Sequence, residues 1–174
     1  MPVIDCHIHF QSPDGRYDQA EVDRCLRLAD DVGIDRLVYL FNLGTGGVDP
    51  TPDDIRTSND LGLMLLDRHP DRFVGFCYLN PAHDPAFSLA EIDRCVAKGP
   101  MQGIKLWISV HATDPRLDPI MARAGELGAP VVRAPHRNPP EGEGNGPGHR
   151  EIWIRDPDGY TVVVASPDGE AYEP

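Results

Sequence analysis

Through the first three quarters of the chain a short apolar, strand-like segment recurs roughly every 30 residues, each followed by a helix-like one. Residues 3–10 alternate as a strand. Residues 18–32 then place Val22, Cys25, Leu26, Ala29 and Val32 on one helical face, with Asp18 and Glu21 spaced as a capping box and Gly33 at the end. Residues 36–41 form a second strand, and Thr51-Pro52 opens a helix to about Arg68. Residues 73–79 are a third strand. The next helix carries Leu89, Ile92, Cys95 and Val96 inward, with Ser88 and Glu91 as its capping pair. A fourth strand over 102–107, a helix opened by Asp118-Pro119 and the start of a fifth strand at 130–132 complete the series. Repeated strand–helix units require parallel strands and right-handed crossovers, as in a doubly wound sheet or a (β/α) barrel.

The pattern then breaks. The prolines and glycines of residues 134–148 exclude regular structure there. Residues 150–155 and 160–165 alternate around the turn Asp156-Pro157-Asp158-Gly159, which is a β-hairpin. The expected organisation is therefore a β/α unit over 1–133, a linker over 134–148 and a hairpin tail over 149–174. Ile152, Ile154, Val162 and Val164 give the tail one apolar face, and an open parallel sheet exposes strand edges. Both features lead us to expect a homo-oligomer.

A formal net charge of −12 argues against nucleic acid or an anionic membrane as a partner. No apolar run reaches the roughly 20 residues of a membrane helix, and no signal peptide stands at the N-terminus. Cys6, Cys25, Cys77 and Cys95 are far apart, and three lie in apolar-periodic segments as free thiols. A reduced, cytoplasmic setting follows.

Chemistry concentrates in Ile4-Asp5-Cys6-His7-Ile8-His9-Phe10. On a strand His7 and His9 share a face, and two imidazoles near a strand end can hold one divalent metal, most often zinc. A bare His-x-His pair is also compatible with two solvated histidines.

This segment resembles the first strand of the amidohydrolase-related family, the branch of metal-dependent hydrolases and decarboxylases. Arg72-Phe-Val-Gly-Phe-Cys-Tyr-Leu-Asn-Pro81, Gly103-Ile-Lys-Leu106, Asp114-Pro-Arg-Leu-Asp-Pro-Ile120 and Glu126-Leu-Gly-Ala-Pro-Val131 continue the likeness in order. The resemblance implies a (β/α) barrel with a mononuclear metal at the C-terminal mouth of its strands. The fold class expected is thus α/β, a partial barrel of about four to five parallel units followed by a β-hairpin. The resemblance implies metal-ligand roles for His7 and His9 and places Lys105 at the mouth as a contact to substrate or transition state. The family's fifth strand ends on a further metal-binding histidine; the aligned position is Ala134, and His136 two residues on is the candidate for that role. The strand that supplies the family's catalytic aspartate has no counterpart here.

The tail from Gly148 to Val164 resembles the last strands of a glyoxalase domain of the vicinal-oxygen-chelate family, with Val163 where those enzymes carry a metal-binding glutamate. The chain thus reads as a hybrid or fusion of a truncated barrel and a glyoxalase-type hairpin. The activity implied is metal-dependent hydrolysis of a small carbonyl compound with zinc, or manganese, as cofactor, weak in a single chain. The alternatives are decarboxylation in the same family and a non-catalytic metal-binding remnant.

Overall fold

The computed structural model describes residues 2–12, 14–107, 109–111, 114–128, 131–138, 149–155 and 161–165, the last three stretches as backbone only. The chain divides into two units, Met1–Ser109 and Val110–Pro174.

In the first unit, strands β1 (Ile4–Phe10), β2 (Arg36–Asn42), β3 (Phe73–Leu79) and β4 (Gly103–Leu106) lie side by side in chain order. Every pairing is parallel. Helices α1 (Gln19–Asp31), α2 (Pro52–Arg68) and α3 (Pro85–Ile92) connect them, and α3 runs on as a π-helical turn over Asp93–Ala97. Sequential parallel strands joined by helices are the repeating unit of a (β/α) barrel, so this sheet is part of one.

Local sequence accounts for the helix starts. Asp18 accepts hydrogen bonds from the amides of Ala20 and Glu21 and caps α1. Thr51 caps α2 in a reciprocal box with Asp54, with Pro52 at the first helical position. Helix α3 differs from expectation: Asp84, not Ser88, is its cap, and Ser88 and Glu91 are both buried inside the helix. Asp84 precedes Pro85, whose fixed φ suits a first turn, so the helix starts four residues before the expected pair.

Tyr39, Phe73, Ile55, Leu65, Leu79 and Ile92 are fully buried between sheet and helices. Polar ties lock the same interface. The Tyr39 hydroxyl donates to the Ser58 carbonyl at 3.1 Å, and the Asn42 amide donates to Ser58 Oγ at 2.9 Å. Asn59 on α2 accepts from the Tyr78 amide at 2.8 Å and donates to the Tyr78 carbonyl at 3.1 Å. It also donates to Glu91 at 2.9 Å. Arg56 and Arg94 both reach the Glu91 carboxylate, at 2.8 and 2.7 Å, and Arg94 continues to Asp60. A carboxylate with no solvent exposure is thereby fully paired, as burial of charge requires.

The second unit holds helix α4 (Leu117–Glu126) and strands β5 (Val131–Asn138), β6 (His149–Arg155) and β7 (Thr161–Ala165) in an antiparallel sheet. The hairpin is where the alternation placed it. The fifth strand is not a member of the parallel sheet: it pairs antiparallel with β6, His136 opposite Glu151. It also extends to Asn138, through the first residues expected as linker. The backbone groups of an extended segment must find partners, and β6 supplies them along β5, with register shifts between Val131 and Arg133 and between Arg133 and His136.

All four cysteines are free thiols; Cys77 and Cys95 are buried, Cys25 half-buried and Cys6 exposed. Among the described residues no helix is long and apolar enough to cross a membrane.

Candidate metal centre

His7 and His9 stand at the C-terminal half of β1, where alternation puts both on one face of the sheet. Their Nε2 atoms are 2.9 Å apart. Two imidazole nitrogens each about 2.1 Å from one ion stand roughly 3 Å apart, so this spacing fits shared ligation of a divalent metal. His9 Nδ1 donates to the Phe41 carbonyl at 3.1 Å. That bond fixes the tautomer with the proton on Nδ1 and leaves the Nε2 lone pair facing His7.

The bond depends on register. His9 lies directly opposite Phe41, beyond irregularities that fall between Asp5 and Ile8 and between Ile8 and His9. The pKa of His9 lies below the ordinary imidazole value: burial disfavours the charged ring, the Phe41 carbonyl works against that, and the positive charges of His7 and Lys105 add to it. A neutral imidazole is the form that binds metal.

Lys105 sits on β4 opposite Tyr78 of β3, and its charge is felt at His9. That charge effect is what relates Lys105 to the histidine pair. The side chain of His136 lies outside the described residues. His69 and His83 are engaged elsewhere: His69 Nε2 is 2.9 Å from the Tyr17 hydroxyl and His83 Nε2 2.7 Å from the Pro50 carbonyl. Among the described residues no three His, Cys, Asp or Glu side chains come together as a metal site. Among the described residues the donor set is a two-histidine pair whose spacing fits a shared metal.

Sequence reasoning missed the aromatic surroundings. Phe41 packs edge-on to His9 with centroids 4.1 Å apart and stacks on Tyr78 at 4.5 Å and 15°. Trp107, just beyond β4, stands edge-on to Phe41 at 5.8 Å and to Tyr78 at 6.3 Å. Its indole N–H donates to the Val48 carbonyl at 3.2 Å. The signal available was the two-residue spacing of Lys105 and Trp107, the latter bonded to the Leu79 carbonyl one step past the end of β4.

A parallel sheet whose strands alternate with helices, with a histidine pair on its first strand, is the scaffold of a partial (β/α) barrel. The amidohydrolase family profile matches residues 4–145, and the chain belongs to that family. Solved structures agree in fold. The 2,6-dihydroxybenzoate decarboxylase from Rhizobium is 21% identical with a TM-score of 0.60, the match covering 82% of this chain and 52% of that one. A dihydroxybenzoic acid decarboxylase from Polaromonas sp. JS666, with bound manganese and 2-nitroresorcinol, is 20% identical at a TM-score of 0.58, covering 74% and 48%. A 5-carboxyvanillate decarboxylase from Novosphingobium aromaticivorans, complexed with manganese and a nitrobenzoic acid, is 26% identical at a TM-score of 0.53, covering 62% and 32%. The chain spans about half the length, or less, of these structures. No curated protein matches it. Neither the family match nor these structures support the resemblance of the tail to a glyoxalase domain.

Proposed function

We propose that the protein performs metal-dependent chemistry of the amidohydrolase type on a small carboxylic acid or other carbonyl compound. The observation that carries this reading is the His7–His9 pair, Nε2 to Nε2 at 2.9 Å with the His9 tautomer held by Phe41. A divalent ion supplies positive charge that polarises a carbonyl or carboxylate oxygen. Manganese is favoured over zinc because solved structures of similar fold carry it. His7 and His9 hold the ion, and Lys105 offers a cation to the substrate's developing negative charge.

Between the two reactions open to such a site, decarboxylation has the better support. The similar structures are decarboxylases. In decarboxylation the bond from the carboxyl carbon to its neighbour breaks, CO2 leaves, the electron pair stays on the carbon left behind, and that carbon takes a proton from solvent water. Hydrolysis of a small carbonyl compound is the second reading. A cytoplasmic location is proposed from the four free thiols.

The test is elemental analysis of the full chain after manganese or zinc loading, with CO2 release from 2,6-dihydroxybenzoate and hydrolysis of a simple ester measured alongside. Stoichiometric metal and CO2 release abolished by chelation are expected. A chain that takes up no metal would overturn the reading, and metal-dependent ester turnover without CO2 release would reverse the order of the two reactions.

A further inference from the structure

We propose that Trp107 is a specificity-determining residue, a stacking platform that selects a planar aromatic ring in an acid whose carboxylate faces His7, His9 and Lys105. The inference rests on the metal-site reading above and deepens it by assigning part of the substrate to a residue of this chain.

Three aromatic rings continue the face that begins at the histidine pair. Phe41 touches the His9 ring, Tyr78 stacks on Phe41, and Trp107 stands across both. Phe41 and Tyr78 are 7% and 4% exposed and have little ring surface left to offer. Trp107 packs against the same cluster but is only half-buried, so its indole carries the free surface of the wall. The ring is held in place: its N–H is spent on the Val48 carbonyl, and its two edge-on neighbours interact nearly perpendicular to it, at 83° and 86°. An indole already fixed in orientation loses little rotamer freedom on binding a ligand, which makes stacking effective. Lys105 precedes Trp107 by two residues, the Trp107 amide carries the ladder one step past β4 to the Leu79 carbonyl at 2.8 Å, and Lys105 offers a charge for a carboxylate. A flat apolar wall beside a cation and a metal pair complements a flat ring bearing an acid group. It does not complement an aliphatic chain, which would forgo the offset-stacked geometry.

The test is calorimetric titration of the full chain, with and without manganese, using 2,6-dihydroxybenzoate and cyclohexanecarboxylate as probes. We expect the aromatic acid to bind at least about tenfold more tightly than the saturated one. Trp107→Leu should remove that preference, Trp107→Phe should retain most of it, and manganese stoichiometry should be the same in all three proteins. A merely structural role would weaken both acids alike in Trp107→Leu. Equal affinity of the native chain for the two acids, binding of neither, or a preference surviving in Trp107→Leu would overturn the proposal. Failure to bind manganese would overturn the metal reading instead, while the titrations without metal still judge the wall.

Discussion

At the scale of single residues the site depends on one backbone carbonyl. Phe41 does not supply a side-chain ligand; its C=O orients His9, and its ring closes the other side of the imidazole. Partners of this outer kind are worth roughly 10–100-fold in metal affinity, so removing an imidazole itself costs at least as much. His7→Ala and His9→Ala are each expected to lose stoichiometric metal, whereas His69→Ala and His83→Ala keep it because those rings are bonded to Tyr17 and Pro50. Elemental analysis after dialysis reads the result, and a His7/His9 double variant that retains metal would refute the assignment. The pairing of His7 with His9 was legible in the sequence, since it needs only the two-residue period of a strand. The Phe41 contact was not, because the strand irregularities that set it leave no mark in the apolar pattern.

At the scale of elements, Glu91 joins α3 to α2 and, through Asn59, to β3. Burial raises the cost of its charge, but the hydrogen bonds from Arg94 and Asn59 and the charges of Arg94 and Arg56 outweigh that and hold its pKa below the ordinary value of 4.5. A folded-state pKa below the unfolded one means stabilisation that is complete above about pH 4.5 and lost as pH falls through the folded value. Glu91→Gln should therefore destabilise the protein at pH 7 by roughly 2–4 kcal/mol. The figure lies below that for an enclosed pair because the Arg56 and Arg94 side chains stay 50% and 35% exposed. Urea unfolding at pH 7 and near pH 3.5 measures this; a gap between native and variant that fails to shrink in acid would contradict it.

Two helical glycines separate packing from propensity. A Cβ on Gly62 would meet Tyr39 Cε1 at 2.9 Å and Met101 Cε at 2.8 Å, whereas one on Gly125 meets nothing within 4 Å. The thioether end can move but the buried Tyr39 ring cannot, so Gly62→Ala is expected to lose roughly 1 kcal/mol despite the better helix former. Gly125→Ala should gain about 0.5–1 kcal/mol. Thermal unfolding of both variants gives the two signs, and a shared sign would contradict the argument.

At the scale of the whole molecule, the parallel sheet has β1 and β4 as its outer strands, and in the second sheet β6 is the centre on which both β5 and β7 depend. Deleting residues 149–174 removes β6 and leaves β5 without its partner, an exposed ladder of the kind that draws in other chains. The shortened protein is expected to aggregate, and the full chain to run as a homodimer or larger; light scattering with size exclusion checks both, and a well-behaved monomer after the deletion would refute the first.

The β/α alternation, the helix starts at Asp18 and Thr51, and the shared face of His7 and His9 were settled by the sequence alone, because each follows from periods and caps spanning a few residues. The pairing of β5 with β6 in place of the parallel sheet, the burial of Glu91 under two arginines, and the placing of Phe41 and Trp107 beside the histidines were decided only by the tertiary structure. Those contacts join residues some 30 or more apart, or choose between competing strand partners, and their energies depend on register and packing that no local period encodes.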